Sequence, residues 1–242
     1  MKVTRPRQHR RNLPQIEASS DVDREAVEAS GIGKRRSAAK EDSSASYQAR
    51  KQEIADAAVR VFNRLGFQRA SISAVAAELD IDRASLYYYI SSKEELFDEI
   101  VRKVVEHNLK AAKEIGSSDA KPGDKIHALI ISLMKSYNDN YPLIYIYIRE
   151  NLSHVSDKRS DWSRYMRDLN SQMSAAIISI IEQGYADGSF RRVGPAHVVA
   201  YGILGLVGWT HRWFRPHESD VSADEIGKTY ADMVLGGLVV TR

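Results

Sequence analysis

The sequence predicts an all-α protein, and three observations carry that prediction. Apolar residues recur every three or four positions between Ile54 and Leu65, and the same spacing returns in most later segments. Helix-capping residues and prolines lie between these segments. No series of strands or repeated unit is visible, and at 242 residues with 43% hydrophobic content the chain can bury a sizeable core.

The first helices are short enough to place individually. The helix that contains Ile54 ends at Gly66, which suits a left-handed cap. A short second helix follows Ser71, and residues 80–82 form a tight turn. Asp82 is a good N-cap for a third helix that we expect to run through Tyr89.

The rest of the chain predicts longer helices. Ser92 and Glu95 form a capping box at the start of a long fourth helix. GYADGSF at 184–190 predicts a turn in which Gly188 takes a positive φ. Further helices are expected after Asp124, from Pro142 to about Asn151, from Asp161 to Gln183, from Pro195 to about Phe214, and from Ser222 or Asp224 onward.

Residues 1–47 differ from everything that follows. The first eleven carry five basic residues and no acid, and Ser, Gly and charge dominate the remainder. We therefore expect a flexible basic arm, which either follows DNA phosphates or is a tail without function in binding. Residues 48–95 then form one helical domain and residues 96–242 another.

The second and third helices have the layout of a helix-turn-helix. In that motif the second helix lies in the major groove and reads bases from its first residues, here Arg83, Ala84 and Ser85. Tyr87 and Tyr88 then suit the groove wall. The alternative is a three-helix core with tyrosines exposed by chance, because residues 48–95 carry seven basic and seven acidic residues.

Composition and motifs argue against several other classes. Without cysteine there are no disulfides, thiol nucleophiles or cysteine-ligated metals, and the formal net charge is only +3. The seven histidines show no metal-binding spacing, and no catalytic or phosphate-binding motif is present. We expect a soluble cytoplasmic protein without cofactor or membrane span that is not an enzyme; a helical signalling or scaffold protein that does not bind DNA is the alternative to a regulator.

Residues 54–101 resemble the N-terminal domain of TetR-type transcriptional regulators. The resemblance rests on the stretch IADAAVRVFNRLGF, on the following SISAVAAELDIDRASLYYYISSKEELFDEIV, and on the spacing between them. The most specific part is LYYYI followed by SSKEEL. Tyr89 departs from the histidine that is frequent at its position, and Ile90 from the usual phenylalanine.

The resemblance implies a homodimeric repressor, with three N-terminal helices on operator DNA and a C-terminal domain that dimerises and binds a small effector. Base readout then falls to Arg83, Ala84 and Ser85. Contacts to the DNA backbone fall to Ser71, Ser73, Tyr87, Tyr88 and Lys93.

The last two predicted helices are the expected dimer interface. Gly202, Gly205 and Gly208 recur every three residues. Each glycine makes the helix less stable than alanine would, and close approach of another backbone is a reason to have glycine there. The final helix adds Met233, Leu235 and Leu238. Packing within one chain is the alternative.

The effector pocket is expected among the middle helices, where aromatic and basic residues concentrate. The stretch GLVGWTHRWFRP at 205–216 resembles a subset of these regulators that sense acyl-CoA thioesters from lipid or aromatic-acid breakdown. Ordinary core packing with solvated arginines, or another apolar effector, is the alternative. The candidate contacts are Tyr145, Arg149, Trp162, Arg164, Arg167, Trp209, Arg212 and Trp213.

Overall fold

The computed structural model describes residues 45–153 and 161–240, and the all-α prediction is confirmed. Within these ranges the one strand-like pairing is an antiparallel bridge between Phe190 and Val239. The α-helices are α1 (Ala45–Leu65), α2 (Ile72–Glu78), α3 (Arg83–Tyr87), α4 (Lys93–Ser117), α5 (Pro122–Asp139), α6 (Leu143–Ser153), α7 (Asp161–Ala186), α8 (Ala196–Trp209) and α9 (Ala223–Leu238), and Thr210–Arg212 forms a 3-10 helix.

The N-terminal domain is built from α1, α2, α3 and the first turns of α4. Leu86 of α3 is fully buried, as are Val61 and Phe62 of α1. Phe97 of α4 packs on Phe62 and Phe67, with ring centroids 6.0 Å and 4.6 Å away. The core of this domain therefore continues beyond the boundary at residue 95 that the sequence predicts.

The start of α1 corrects the predicted extent of the N-terminal arm. The helix begins at Ala45, and the side chain of Tyr47 is buried. Residues 45–47 thus belong to the folded domain, whereas residues 1–44 lie outside the described residues.

The predicted N-cap of the third helix is confirmed, because Asp82 accepts a hydrogen bond from the Ser85 N–H. Ser71, for which no cap was predicted, also caps its helix by accepting a hydrogen bond from the Ala74 N–H. Gly66 and Gly188 have φ values of +74° and +76°, so both turns use the conformational freedom of glycine.

The Ser92 cap differs in one detail from the prediction. Ser92 accepts from the Glu95 N–H, but the Glu95 carboxylate accepts from the Ser91 N–H at 2.7 Å. The reciprocal bond thus reaches one residue further back than a capping box requires.

Three other predicted boundaries need correction. α3 ends at Tyr87 instead of Tyr89, and α8 ends at Trp209 because a 3-10 turn replaces its predicted extension to Phe214. α5 begins at Pro122, before Asp124, since a proline without an N–H suits the first turn of a helix.

The C-terminal domain packs α9 along α5 and α7 against α4 and α8. The buried ammonium of Lys125 joins three of these helices, because it donates to the Gly116 carbonyl at 2.9 Å and to Gln183 Oε1 at 3.0 Å. Two elements connect the domains: α4 belongs to both, and α6 contacts both α1 and α4. In the part of the chain that the structure describes, no helix is long and apolar enough to cross a membrane.

Candidate nucleic-acid interface and effector region

The surface of α3 separates the predicted base-reading residues from the core. Arg83, Ala84 and Ser85 are exposed, while Leu86 and Ile90 are buried beneath them. The side chains thus divide as a recognition helix requires, because successive residues of a helix point about 100° apart. The three predicted readout residues lie together on one accessible turn.

Arg83 is held against Tyr87, one turn further along α3. Its Nη2 and Nε donate to the Tyr87 hydroxyl at 2.6 Å and 3.2 Å. The guanidinium carbon lies 5.1 Å from the centroid of the Tyr87 ring, within cation–π range. Tyr87, predicted as a backbone contact, therefore also orients the predicted base-reading arginine.

Ser85 is linked to the N-cap of the same helix. Its hydroxyl and its backbone N–H both donate to the Asp82 carboxylate. Both bonds lower the pKa of Asp82, and the bond from the Ser85 hydroxyl has the larger effect. A base contact by Ser85 would share or replace the bond to Asp82.

Tyr88 and Tyr89 pack with a residue that the sequence analysis did not select. Tyr47 of α1 stacks on Tyr89 with centroids 5.2 Å apart and meets Tyr88 edge-on at 6.2 Å. Tyr88 and Tyr89 are themselves edge-on at 5.0 Å. The sequence spacing could have predicted that Tyr47 is buried, because it precedes the apolar Ile54 by seven residues and so lies on the same face of the helix.

The other residues predicted to contact the DNA backbone differ in how exposed they are. Ser71 and Ser73 are exposed at the start of α2. Lys93 is largely covered, and its Nζ donates to the Phe67 carbonyl at 3.1 Å while lying 4.6 Å from the Phe67 ring centroid. A phosphate would therefore share this ammonium with the loop between α1 and α2.

The predicted dimer surface on α8 is uncovered in the protomer. This helix is rich in apolar residues, yet only Ala200 and Ile203 are buried. A Cβ added to Gly202, Gly205 or Gly208 would meet nothing within 4 Å. The exposed large side chains around them are Val198, Tyr201, Trp209 and Trp213.

The predicted dimer residues of α9 do not all share that surface. Met233 is 62% exposed, and Leu235 is half-buried. Leu238 is only 3% exposed and belongs to the core of the protomer, so it offers little surface to a partner. Its backbone carbonyl accepts from the Arg191 N–H, which ties the end of α9 to the turn after α7.

The predicted effector residues lie on α6, on α7 and at the end of α8. Trp162 packs half-buried on the core, whereas Arg164 and Arg167 are exposed on the first turns of α7. Trp209, Arg212 and Trp213 are exposed at the end of α8, with the Arg212 guanidinium 4.9 Å from the Trp209 ring centroid. The side chain of Arg149 lies outside the described residues.

Tyr145 occupies a different position, between the two domains. With Ile146 it lines a cleft of about 290 Å³ whose opposite wall is residues 65–69 of the N-terminal domain. Arg215, which the sequence analysis did not select, hydrogen-bonds to Tyr145 and Tyr141. The loop after α8 therefore contacts the helix that faces the DNA-binding domain.

Two family models match the chain. Residues 54–100 match the model described as bacterial regulatory proteins, tetR family, and residues 119–238 match the tetracyclin repressor-like C-terminal domain. The HTH-type transcriptional repressor KstR2 of Rhodococcus jostii (strain RHA1) is 28% identical over 190 residues, which cover 78% of this chain and 91% of that protein.

Solved structures have the same architecture. The ketosteroid transcriptional regulator KstR2 of Mycobacterium tuberculosis gives a TM-score of 0.68 at 25% identity, covering 79% of this chain and 96% of that one. AibR in complex with isovaleryl coenzyme A and operator DNA gives a TM-score of 0.64 at 19% identity, covering 76% and 97%. The likeness to AibR shows the fold alone.

Proposed function

Because this chain belongs to the TetR family of bacterial transcriptional regulators, we propose that it is a homodimeric repressor that an amphipathic effector releases from its operator. The observation that carries the DNA-binding part is the division of α3, which exposes Arg83, Ala84 and Ser85 above the buried Leu86. Arg83 suits a guanine edge, which accepts two hydrogen bonds from a guanidinium. The matched families are regulators and not enzymes.

The proposed dimer rests on the uncovered face of α8. Three glycines at which an added Cβ would meet no atom, and the exposed Val198 and Tyr201 beside them, are costly in a monomer because they leave apolar surface in water. A second copy of α8 and α9 packed on this face would bury that surface. The close approach of two backbones would also explain the glycines.

We propose an acyl-CoA thioester as the effector, with its nucleotide part at the end of α8. Arg212 can pair with CoA phosphates, and Trp209 or Trp213 can stack on adenine. AibR, which has this fold, was solved with isovaleryl coenzyme A and operator DNA, so this architecture can carry both ligands.

Fluorescence anisotropy against duplex DNA from the protein's own upstream intergenic region tests this proposal. We expect tight, salt-sensitive binding that a scrambled duplex does not reproduce. Long-chain, steroid-derived and aromatic acyl-CoAs are then added, with free CoA and the unesterified acids as controls. Equal weak binding to both duplexes would contradict operator recognition, and release by a free acid would contradict the thioester.

Arg212→Ala provides the matched variant for the effector. It should shift the acyl-CoA concentration needed for release upward by roughly ten- to a hundredfold while leaving operator affinity unchanged, since a lost charged contact costs about 1.5–3 kcal/mol. Lys228→Ala removes another exposed cation, on α9, and should leave both quantities unchanged. An unchanged release curve for Arg212→Ala would remove Arg212 from the site.

A further inference from the structure

The first two turns of α1 make contacts that the family match does not include. The matched region begins at Ile54, whereas Tyr47 lies two helical turns earlier. Tyr47 is nevertheless buried, and its ring contacts both Tyr88 and Tyr89 at the end of the recognition helix. This segment is therefore part of the packing around α3.

A second contact fixes the same segment independently. The Lys51 ammonium lies 2.7 Å from each oxygen of the Glu99 carboxylate on α4. Both side chains are largely shielded from solvent, at 13% and 21% exposure. Lys51 thus holds the start of α1 against α4, and Tyr47 projects from that fixed segment towards α3.

The recognition helix depends on such support because it is very short. α3 has five helical residues, and an isolated helix of that length is not stable in water. Tyr88 follows its last residue, where the backbone hydrogen-bond ladder no longer fixes the chain. The Tyr88 ring is instead positioned by Tyr47 and by Tyr89, which meet it edge-on at 6.2 Å and 5.0 Å.

We propose that Tyr47 is a positioning residue for operator binding, which holds the Tyr88 ring where its hydroxyl reaches a DNA phosphate. The inference rests on the proposed function, since it requires that Tyr88 contact DNA. It extends the DNA-binding unit by two helical turns before the matched region. Tyr47 itself is covered by the protein and touches no DNA.

A double-mutant cycle in operator affinity tests this role. Tyr47→Leu should weaken binding by roughly three- to tenfold, the range set by loss of an aromatic pair. Tyr47→Phe keeps the ring and should bind like wild type. In a Tyr88→Ala background, Tyr47→Leu should add little further loss, because the residue that it positions is already absent.

Phe97→Leu is the matched control for loss of a buried ring. Phe97 packs on Phe62 and Phe67 in the same domain, so its variant should lower the melting temperature and leave operator affinity unchanged well below that temperature. If Tyr47→Leu does not fold, Lys51→Gln loosens the same segment. Its loss of affinity should likewise disappear when Tyr88 is alanine.

Different results would contradict the positioning role of Tyr47, the phosphate contact of Tyr88 and operator binding itself. Equal losses from Tyr47→Leu with and without Tyr88 would overturn the positioning role, as would wild-type affinity for Tyr47→Leu. Wild-type affinity for Tyr88→Ala would overturn the phosphate contact and the positioning role with it. Absence of operator binding by the wild-type protein would instead contradict the proposed function.

Discussion

At the residue scale, side chains on the exposed face of α3 are held in pairs. Arg83 is oriented by the Tyr87 hydroxyl, and Ser85 by Asp82. Each pair spans three or four positions, so its members lie on the same side of the helix. A substitution at one member should therefore change what the other does.

Tyr87→Phe tests whether Tyr87 orients Arg83. The variant keeps the ring but removes the hydroxyl that accepts from the guanidinium. We expect discrimination between the operator and a duplex with one G·C pair replaced to fall by about 1 kcal/mol, within the range for a bidentate arginine–guanine contact. Anisotropy against both duplexes measures it, and equal weakening on both would show that the hydroxyl serves the DNA backbone alone.

Asp82→Asn tests the N-cap of α3 through its pH dependence. The pKa of Asp82 is lowered in the folded protein, so its ionised form stabilises the fold at pH values above the ordinary value of 3.8. That stabilisation should disappear as the pH falls through the lowered pKa. Thermal unfolding followed from neutral to acid pH should show a steeper loss for wild type than for Asp82→Asn, and parallel curves would contradict the assignment.

At the element scale, α8 has the apolar composition of a core helix but leaves most of its residues unburied in the protomer. A helix rich in leucine, isoleucine and valine normally belongs to a core, yet α8 buries two residues. Its neighbour α9 buries Leu238 and leaves Met233 in solvent. The two helices thus expose one apolar face that a second subunit would cover.

Gly205→Leu tests this face directly. A Cβ added at Gly205 would meet no atom within 4 Å, and leucine has a higher helix propensity than glycine by about 1 kcal/mol. The monomer should therefore be as stable as before or more so, while the dimer dissociates. Analytical ultracentrifugation with thermal unfolding measures both, and a dimer of wild-type affinity would remove Gly205 from the interface.

Gly184→Ala should destabilise the monomer and leave the dimer interface intact, the reverse of what we expect for Gly205→Leu. A Cβ at Gly184 would lie 2.1 Å from a ring carbon of Phe190, which is buried. Because overpacking of this kind typically costs about 1–3 kcal/mol, we expect a lower melting temperature with the oligomeric state unchanged. Calorimetry and ultracentrifugation together check this, and wild-type stability would mean that the Phe190 ring moves without cost.

At the scale of the whole molecule, the two domains share one hydrophobic core. Buried residues form a continuous cluster from Ile54 in α1 to Leu238 in α9, and α4 runs through both parts. The cleft at Tyr145 lies where α6 faces the α1–α2 loop, and Arg215 brings the end of the α8 segment to the same helix. The segment after α8 thus contacts the helix that lines the cleft beside the N-terminal domain.

A deletion of residues 1–43 tests the role of the basic arm. It keeps Ala45 and Tyr47, and with them the support of α3. We expect weaker binding to operator and scrambled duplexes alike and a smaller dependence of affinity on salt, because fewer counterions are released. Affinity titrations at several salt concentrations measure the slope, and an unchanged slope would assign the arm no part in binding.

The sequence by itself determined the local structure of this protein. Helical spacing, the caps at Asp82 and Ser92, and the glycines at 66 and 188 depend on neighbouring residues only, so they could be predicted directly. The exposed start of α3 followed from the same periodicity. Where those local signals were weak, at the ends of α3 and α8, the predicted boundaries were wrong.

Only the tertiary structure decided which distant residues meet. Tyr47 lies in a segment whose composition predicts a flexible arm, yet Tyr89, forty-two positions later, buries it. Leu238 and Met233 have similar apolar character, but Leu238 is buried in the core and Met233 is exposed. Burial and partner choice are set by packing between elements far apart in sequence, and periodicity within one element does not contain that information.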